Sequence, residues 1–229
     1  MNSIYDYSQM KYDISAYQPR LKRMLTDFFR HTVMISPSLR WHNMTSVIEA
    51  LEKLCRAADL DDVYLLNSIS LQSANFIGRS GELKQIHHLL SENNVVFITG
   101  IGGIGKTELA KRYAKKHEDL YHTVAFSVFS EDVVSMVRTE IGINNLEQDE
   151  DEPDEAFYER KLKKLKAIAT SEDLIIIDNF DNFPDDHLER LLDDLERLFE
   201  CKCKFIVTTR IPSEILRDYG YESFPLNCL

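Results

Sequence analysis

The sequence predicts an α/β fold in which a parallel, doubly wound sheet follows a small helical N-terminal region. Short apolar runs recur from residue 95 onwards with helix-length segments between them, a pattern typical of strands buried on both faces. The first run leads directly into a glycine-rich turn and then into a helical stretch. The predicted strands are VVFIT at 95–99, TVAFSVF at 123–129, LIIID at 174–178 and KFIVTT at 204–209.

Residues 1–72 are predicted to form the helical region, and residues 73–229 the α/β domain. In TSVIEALEKLCRAADL, apolar residues recur at the spacing of one helix face, with Thr45 or Ser46 as the expected N-cap. The segment RLKRMLTDFFRHTVMI predicts another helix. Two roles remain open for this region: a packing element, which is the simpler interpretation, or an effector or adaptor module that binds a partner.

The segments between the strands are predicted to cover the sheet or to face solvent. YERKLKKLKAIA and DHLERLLDDLERLFE carry leucines on one helical face and charges on the other, as covering helices do. LEQDEDEPDEAF, at 146–157, is acidic and contains a proline, which indicates a solvated loop. Metal binding by this loop is the less favoured interpretation.

Composition and charge exclude several classes of function. With 44% hydrophobic and 28% charged residues, the chain can bury one sizeable core. The formal net charge of -11 disfavours non-specific binding of DNA or RNA. No segment approaches the roughly 20 apolar residues of a membrane helix, and the start of the chain has no leader pattern, so we expect a cytoplasmic protein without a membrane partner. Four cysteines without paired spacing predict reduced structural thiols rather than a zinc site.

The turn GIGGIGKT at 100–107 matches the pattern GxxxxGK[ST], which binds phosphate groups. Its glycines let backbone N–H groups approach phosphate oxygens that side chains would otherwise block. Lys106 is expected to reach the β- and γ-phosphates, Thr107 to offer its hydroxyl to Mg²⁺, and the following helix to add its dipole. A plain glycine turn is the alternative, but the strand before the turn and the helix after it favour the phosphate site.

Asp178, at the carboxyl end of LIIID, is the candidate second ligand of Mg²⁺. Ligands of open α/β sheets gather at this edge, although an aspartate there can also simply begin a turn. Asn179 follows where a second acid would orient an attacking water, so slow hydrolysis is predicted. Asp181 is a fallback acid that carries little weight, because three residues further on it is expected to point elsewhere.

Arg210 ends the run KFIVTTR at the same edge of the sheet, provided that the strands are parallel. An arginine there could contact the terminal phosphate and so report whether ATP or ADP is bound. A surface arginine without this role is the alternative, and the neighbouring phosphate pattern favours the sensor.

Four stretches of the sequence resemble the NB-ARC or AP-ATPase branch of the STAND signalling NTPases, which includes plant disease-resistance proteins, apoptosome-forming factors and bacterial regulators. NFIGRSGEL at 75–83 looks like the VGR-E type motif of that family. GIGGIGKTELA resembles its Walker A motif, LIIIDNFD its Walker B motif and FIVTTR its sensor strand. The resemblance covers about residues 75–226, and the order of the motifs also fits.

This resemblance implies a site for ATP or ADP with Mg²⁺, and the lack of an NKxD-like motif also favours adenine over guanine. It implies that the sensor strand lies beside the Walker A strand, and that Phe76, Ile77, Gly78 and Arg79 flank the adenine and ribose. Lys106, Asp178 and Arg210 would be the catalytic positions, with Thr107 and Asp178 holding the metal. The other implied nucleotide contacts are Gly100, Ile101, Gly102, Gly103, Ile104, Gly105 and Glu108.

The predicted function is an ATP- and ADP-binding regulatory switch module with weak hydrolysis. Because the sequence stops at FPLNCL, before the helical and winged-helix subdomains of relatives, we expect it to be the N-terminal portion of a longer signalling protein. That protein would self-associate under nucleotide control, with a signalling partner for residues 1–72. The alternatives are a P-loop phosphotransferase or kinase with a small acceptor, and an interaction module whose phosphate loop is vestigial.

Overall fold

The computed structural model describes residues 19–33, 43–59, 65, 66, 68, 78–181 and 183–228. The chain falls into two compact units, residues 1–62 and 63–229. The predicted functional division after residue 72 remains a prediction.

The described part of the first unit contains two helices, α1 Pro19–Val33 and α2 Met44–Asp59, where the sequence predicted them. The predicted N-cap of α2 is wrong. The side chain of Asn43, not of Thr45 or Ser46, accepts the Ser46 N–H at 2.9 Å and so satisfies one of the free N–H groups of the first turn.

Ile48 and Leu51 of the apolar stripe predicted on α2 have exposed side chains, and Met44, which was not part of that prediction, extends the exposed surface by one turn. Met44, Ile48 and Leu51 follow one another at helical spacing, and all three side chains are exposed. This exposed stripe leaves both roles for the N-terminal region open.

The second unit is built on a parallel sheet in the order β2-β3-β4-β1-β5. The strands are β1 Val95–Thr99, β2 Thr123–Val128, β3 Asp173–Asp178, β4 Lys204–Thr209 and β5 Ser223–Pro225. The helices are α3 Ser80–Glu92, α4 Lys106–Lys116, α5 Val133–Thr139, α6 Asp154–Ile168, α7 Leu188–Phe199 and α8 Ser213–Asp218. The four predicted strands are confirmed, and β4 pairs with β1 as the resemblance implied. The short strand β5 was not predicted.

Two hydrophobic cores, one on each face of the sheet, explain why the strands read as continuous apolar runs. Successive residues of a strand point to opposite faces. In β1, Phe97 joins one core while Val96 and Ile98 join the other. In β3, Ile175 and Ile176 divide in the same way. These strands are therefore buried on both faces and need no polar face toward solvent.

Ser68 lies along the outer edge of β2, and Leu65 and Leu66 lie near it in the chain. The Ser68 N–H donates to the carbonyl of Val124 at 3.3 Å, and the Ser68 hydroxyl accepts the Phe126 N–H at 2.8 Å. Leu65, only 3% exposed, pairs with Ile143. This segment covers part of an edge strand that would otherwise present unpaired backbone groups.

The acidic segment 146–157 is partly a loop and partly the start of a helix. Helix α6 begins at Asp154, directly after Pro153, so the predicted loop is too long at its C-terminal end. Arg160 donates to Glu152 at 2.6 and 2.8 Å, and Arg138 pairs with Asp154. In the parts of the chain that the structure describes, no group of three or more His, Cys, Asp or Glu side chains is placed to hold a metal ion.

The cysteines with described side chains are free thiols. Cys201 and Cys203 are buried, whereas Cys228 is exposed. Burial raises the pKa of the Cys201 thiol to about 12. The two buried thiols therefore stay protonated and act as small apolar residues of the core, as predicted.

Lys161 of α6 carries a buried ammonium group, and its titration should make the stability of the domain depend on pH. Its side chain is 4% exposed, and Nζ donates to the carbonyl of Arg138 at 2.6 Å. Burial lowers the pKa of this ammonium to about 8. Because the pKa is lower in the folded than in the unfolded chain, folding must release a proton between pH 8 and the ordinary lysine pKa. The contribution of Lys161 to stability therefore rises with pH across this window.

Comparison with Lys161→Met isolates this effect. The free energy of unfolding of the wild type, minus that of the variant, should increase by roughly 3 kcal/mol between pH 7 and pH 10.5. Denaturant melts at several pH values provide the measurement. The buried thiols and tyrosines titrate in both proteins. Their contributions to the pH dependence of the free energy of unfolding therefore cancel in the difference. A difference that stays constant with pH would contradict the prediction.

Candidate nucleotide-binding site

The phosphate loop connects β1 to α4 at the carboxyl edge of the sheet. Gly103 and Gly105 have φ angles of 77° and 99°, in the left-handed region that side chains disfavour. Gly105 occupies the N-cap of α4, which begins at Lys106. The free N–H groups of the first helical turn and the helix dipole therefore face the end of the loop, as anion binding requires.

Lys106 folds back over this loop. Nζ donates to the carbonyl of Gly100 at 2.8 Å and to that of Ile101 at 3.1 Å, and the residue is 7% exposed. Burial lowers the pKa of the ammonium, while the charges of Asp181 and Asp178 act in the opposite direction. The lysine is thus a buried cation that is hydrogen-bonded to the loop and stabilised by the charges of two carboxylates.

Asp178 is in direct contact with Thr107, the other proposed ligand of the metal ion. Its Oδ1 accepts the Thr107 hydroxyl at 2.7 Å and the Thr208 hydroxyl at 2.6 Å. Asp178 is 5% exposed and Thr208 is fully buried. Strand β4 lies between β3 and β1, so Thr208 links the aspartate to the neighbouring strand. Sequence reasoning assigned no role to Thr208.

Asn179 lies in a left-handed turn directly after β3. Its φ of 58° is left-handed, a conformation that asparagine tolerates better than most residues. The Asn179 N–H donates to Oγ1 of Thr208 at 3.0 Å, and the residue is exposed. The chain therefore turns sharply at the end of β3.

Arg210 lies against the loop, and Asp181 holds it there. The Arg210 N–H donates to Oδ1 of Asp181 at 2.5 Å, and Nε lies 3.3 Å from Oδ2. A Cβ atom built on Gly102 would be 3.6 Å from Cζ of Arg210. The expectation that Asp181 points elsewhere is wrong, because the turn after β3 brings it back to the end of β4.

Arg79 connects the segment before α3 with the loop. It is 8% exposed with φ at 58°. Its guanidinium donates to the carbonyl of Ile104 at 3.3 Å and to that of Asn227 at 3.2 Å. Gly78 next to it is exposed, whereas Phe76 and Ile77 lie outside the described residues.

The C-terminal segment supports the base of the loop. The Leu226 N–H donates to the carbonyl of Thr99 at 2.8 Å. A Cβ atom on Gly100 would stand 2.9 Å from the Leu226 carbonyl oxygen, so only glycine fits here. The remaining predicted contacts differ in exposure, with Ile101 67% exposed and Glu108 half-buried on α4.

An open cleft of about 500 Å³ lies beside the loop. Gly102, Arg210, Ser213 and Arg217 are among its lining residues. The buried ammonium, the helix N-terminus and the two arginines supply positive charge for a polyphosphate. The Thr107 hydroxyl and the Asp178 carboxylate are the hard oxygen ligands that Mg²⁺ prefers. The residues present therefore fit a nucleotide with a magnesium ion.

This sheet order and loop define a P-loop NTPase domain. The sequence model of a family described as AAA domain matches residues 87–213, more than half of the chain, and the chain belongs to this family.

Comparison with solved structures gives the structure of C. elegans PCH-2 as one match, at 14% sequence identity and a TM-score of 0.45. The match covers 72% of this chain and 48% of the PCH-2 chain. This chain therefore spans about half the length of the PCH-2 chain. No curated protein matches. Within the described ranges, no helix is both long and apolar enough to cross a membrane.

Proposed function

We propose that this domain is an ATP- and ADP-binding regulatory switch of the NB-ARC or STAND type. The observation that carries the proposal is the placement of Arg210 against the phosphate loop, at the same sheet edge as Lys106 and Asp178. Its guanidinium could contact a γ-phosphate, which ADP lacks. ATP and ADP would then favour different states of a longer protein, as a switch requires.

Slow hydrolysis accords with a switch. In this proposal Lys106 and Arg210 bind the phosphates, and Thr107 and Asp178 hold Mg²⁺, which neutralises phosphate charge when bound. Asn179, exposed at the end of β3, carries no carboxylate to orient an attacking water. The nucleotide state would therefore persist long enough to be read out.

The proposal extends to partners and location. In the full-length protein the domain would self-associate, and residues 1–72 would bind a signalling partner. The exposed Met44, Ile48 and Leu51 on α2 support a role in contacts with another protein. The free thiols Cys201 and Cys203 support a cytoplasmic location.

Titration by calorimetry with ADP and with ATP plus Mg²⁺ tests the switch. Arg210→Ala should weaken ATP binding about 10- to 100-fold and ADP binding much less, because a charge-assisted hydrogen bond contributes about 1.5–3 kcal/mol. Arg190→Ala, which removes an exposed arginine on α7, is the matched control. Equal losses for both nucleotides would contradict the sensor role. Phosphate consumption that depends on a small acceptor would instead favour a phosphotransferase.

A further inference from the structure

Asp181 is a buried carboxylate for which the proposed switch has no assigned role. Its side chain is 5% exposed, whereas that of Arg210 is 57% exposed. Oδ1 accepts the backbone N–H of Arg210 at 2.5 Å and lies 3.2 Å from the hydroxyl oxygen of Thr209, which donates at the shorter distance of 2.7 Å to the carbonyl of Phe180. Oδ2 lies 3.3 Å from Nε of Arg210. Both carboxylate oxygens are thus directed at the end of β4.

These contacts fix both the backbone and the side chain of Arg210. The backbone hydrogen bond sets where the arginine leaves the strand, and the Nε contact sets the direction of the guanidinium. An arginine has five N–H donors in a planar fork, so using Nε leaves four on the two Nη atoms. The guanidinium lies close to Gly102 and remains largely exposed, with these donors available to a ligand in the cleft.

Asp181 also acts on the other cation of the site. Of the charges around Lys106, that of Asp181 has the largest effect on its pKa, and it favours the protonated form. The charge of Asp181 therefore acts on both cations that the proposed function directs at the phosphates, whereas Asp178 also acts on Lys106. A role as general base is less suitable for Asp181, because both of its oxygens already face hydrogen-bond donors.

We propose that Asp181 is the positioning residue of the nucleotide sensor, which holds Arg210 at the phosphate loop so that the domain distinguishes ATP from ADP. The inference rests on the proposed function. A free arginine must give up rotamer freedom when it binds a phosphate, whereas a held arginine has already done so. The preference for ATP therefore depends on Asp181 even though Asp181 does not touch the nucleotide.

The test compares ATP plus Mg²⁺ with ADP in calorimetric titrations of Asp181→Asn, Arg210→Ala and the double variant. Asparagine keeps a carbonyl oxygen for the Arg210 N–H but has an NH2 group in place of Oδ2, so the charge that holds Nε is lost. The ratio of ATP to ADP affinity should fall about 3- to 10-fold in Asp181→Asn, because the ion pair is lost and Arg210 must then give up its rotamer freedom when it binds the phosphate. In the Arg210→Ala background, Asp181→Asn should change the ratio of ATP to ADP affinity no further, because any effect through Lys106 is common to both nucleotides. Asp186→Asn, at an exposed aspartate beyond the site, is the control.

Arg210→Lys is a second variant that does not depend on the folding of the Asp181 variants. Lysine keeps the positive charge but has no Nε donor for Asp181, and the side chain is largely exposed, so the fold should be unaffected. The affinity ratio should fall in this variant too. An unchanged ratio of ATP to ADP affinity in Asp181→Asn or in Arg210→Lys would overturn the inference. It would also be overturned if the double variant lowered this ratio by the product of the factors measured in Asp181→Asn and Arg210→Ala.

The titrations also separate this inference from the proposed function. If the wild type binds neither nucleotide, or binds both without preference, the switch itself is wrong and the inference falls with it. If Arg210→Ala lowers the ratio but Asp181→Asn does not, the switch stands and only the positioning role is wrong.

Discussion

Replacing Lys106 by alanine should abolish binding of both ATP and ADP while the domain stays folded. The buried ammonium lies over the loop, bonded to the carbonyls of Gly100 and Ile101. Charge-assisted hydrogen bonds to phosphate contribute about 1.5–3 kcal/mol each. Loss of two of them should weaken both nucleotides by at least about 100-fold. The β-phosphate is common to ATP and ADP, so Lys106→Ala should lose affinity for both nucleotides. Arg210→Ala should instead lose affinity mainly for ATP.

Calorimetry on protein that has first been freed of carried-over nucleotide gives the affinities. A thermal shift provides an independent readout, because a ligand at about 100 times its Kd stabilises the folded state by about 2.7 kcal/mol. Lys116→Ala, at an exposed lysine in the last turn of the same helix, is the matched control. Wild-type affinity in Lys106→Ala would mean that the loop is not the phosphate site, and would favour an interaction module with a vestigial loop.

The sequence predicts those parts of the structure that depend on neighbours in the chain. The glycine loop, Lys106 and Thr107 are contiguous, and the strand and helix that flank them follow from local apolar patterns. The continuous apolar runs also predict a parallel sheet, because alternation would be expected if one face were exposed. The three-residue strand β5 carries no such pattern, and its pairing with β1 was not predicted.

The parts that were missed depend on contacts between distant residues. Thr208 and Asp178 are 30 residues apart and meet only because β3 and β4 are parallel neighbours. Asp181 meets Arg210 through the left-handed turn at Asn179, which spacing alone does not reveal. Arg79 reaches a carbonyl 148 residues later in the chain. A closer comparison of the ends of the two predicted strands would have placed Thr208, because parallel strands end at one edge of the sheet.

Replacing Asp178 by asparagine should remove the dependence of ATP binding on Mg²⁺. The proposed metal ligands Thr107 and Asp178 are in direct contact, so an ion held there would interact with both. Substitution of residues that only support metal ligands already lowers metal affinity roughly 10- to 100-fold. Loss of a ligand itself should lower metal affinity by at least as much. In the wild type, ATP should therefore bind more tightly with Mg²⁺ than with a chelator, whereas Asp178→Asn should show little difference. ADP without metal should bind equally to both proteins.

The asparagine and alanine variants at this position separate metal binding from stability. Asparagine keeps an oxygen that accepts the hydroxyls of Thr107 and Thr208. Asp178→Ala leaves the fully buried Thr208 hydroxyl without that acceptor, which should lower the free energy of unfolding by about 1–3 kcal/mol in denaturant melts. Asp173→Asn is the control, since Asp173 is as buried as Asp178 but lies at the opposite end of β3. If Asp178→Asn retained the wild-type response to Mg²⁺, Asp178 would be a structural acceptor for two hydroxyls and the metal ligand would have to be sought elsewhere.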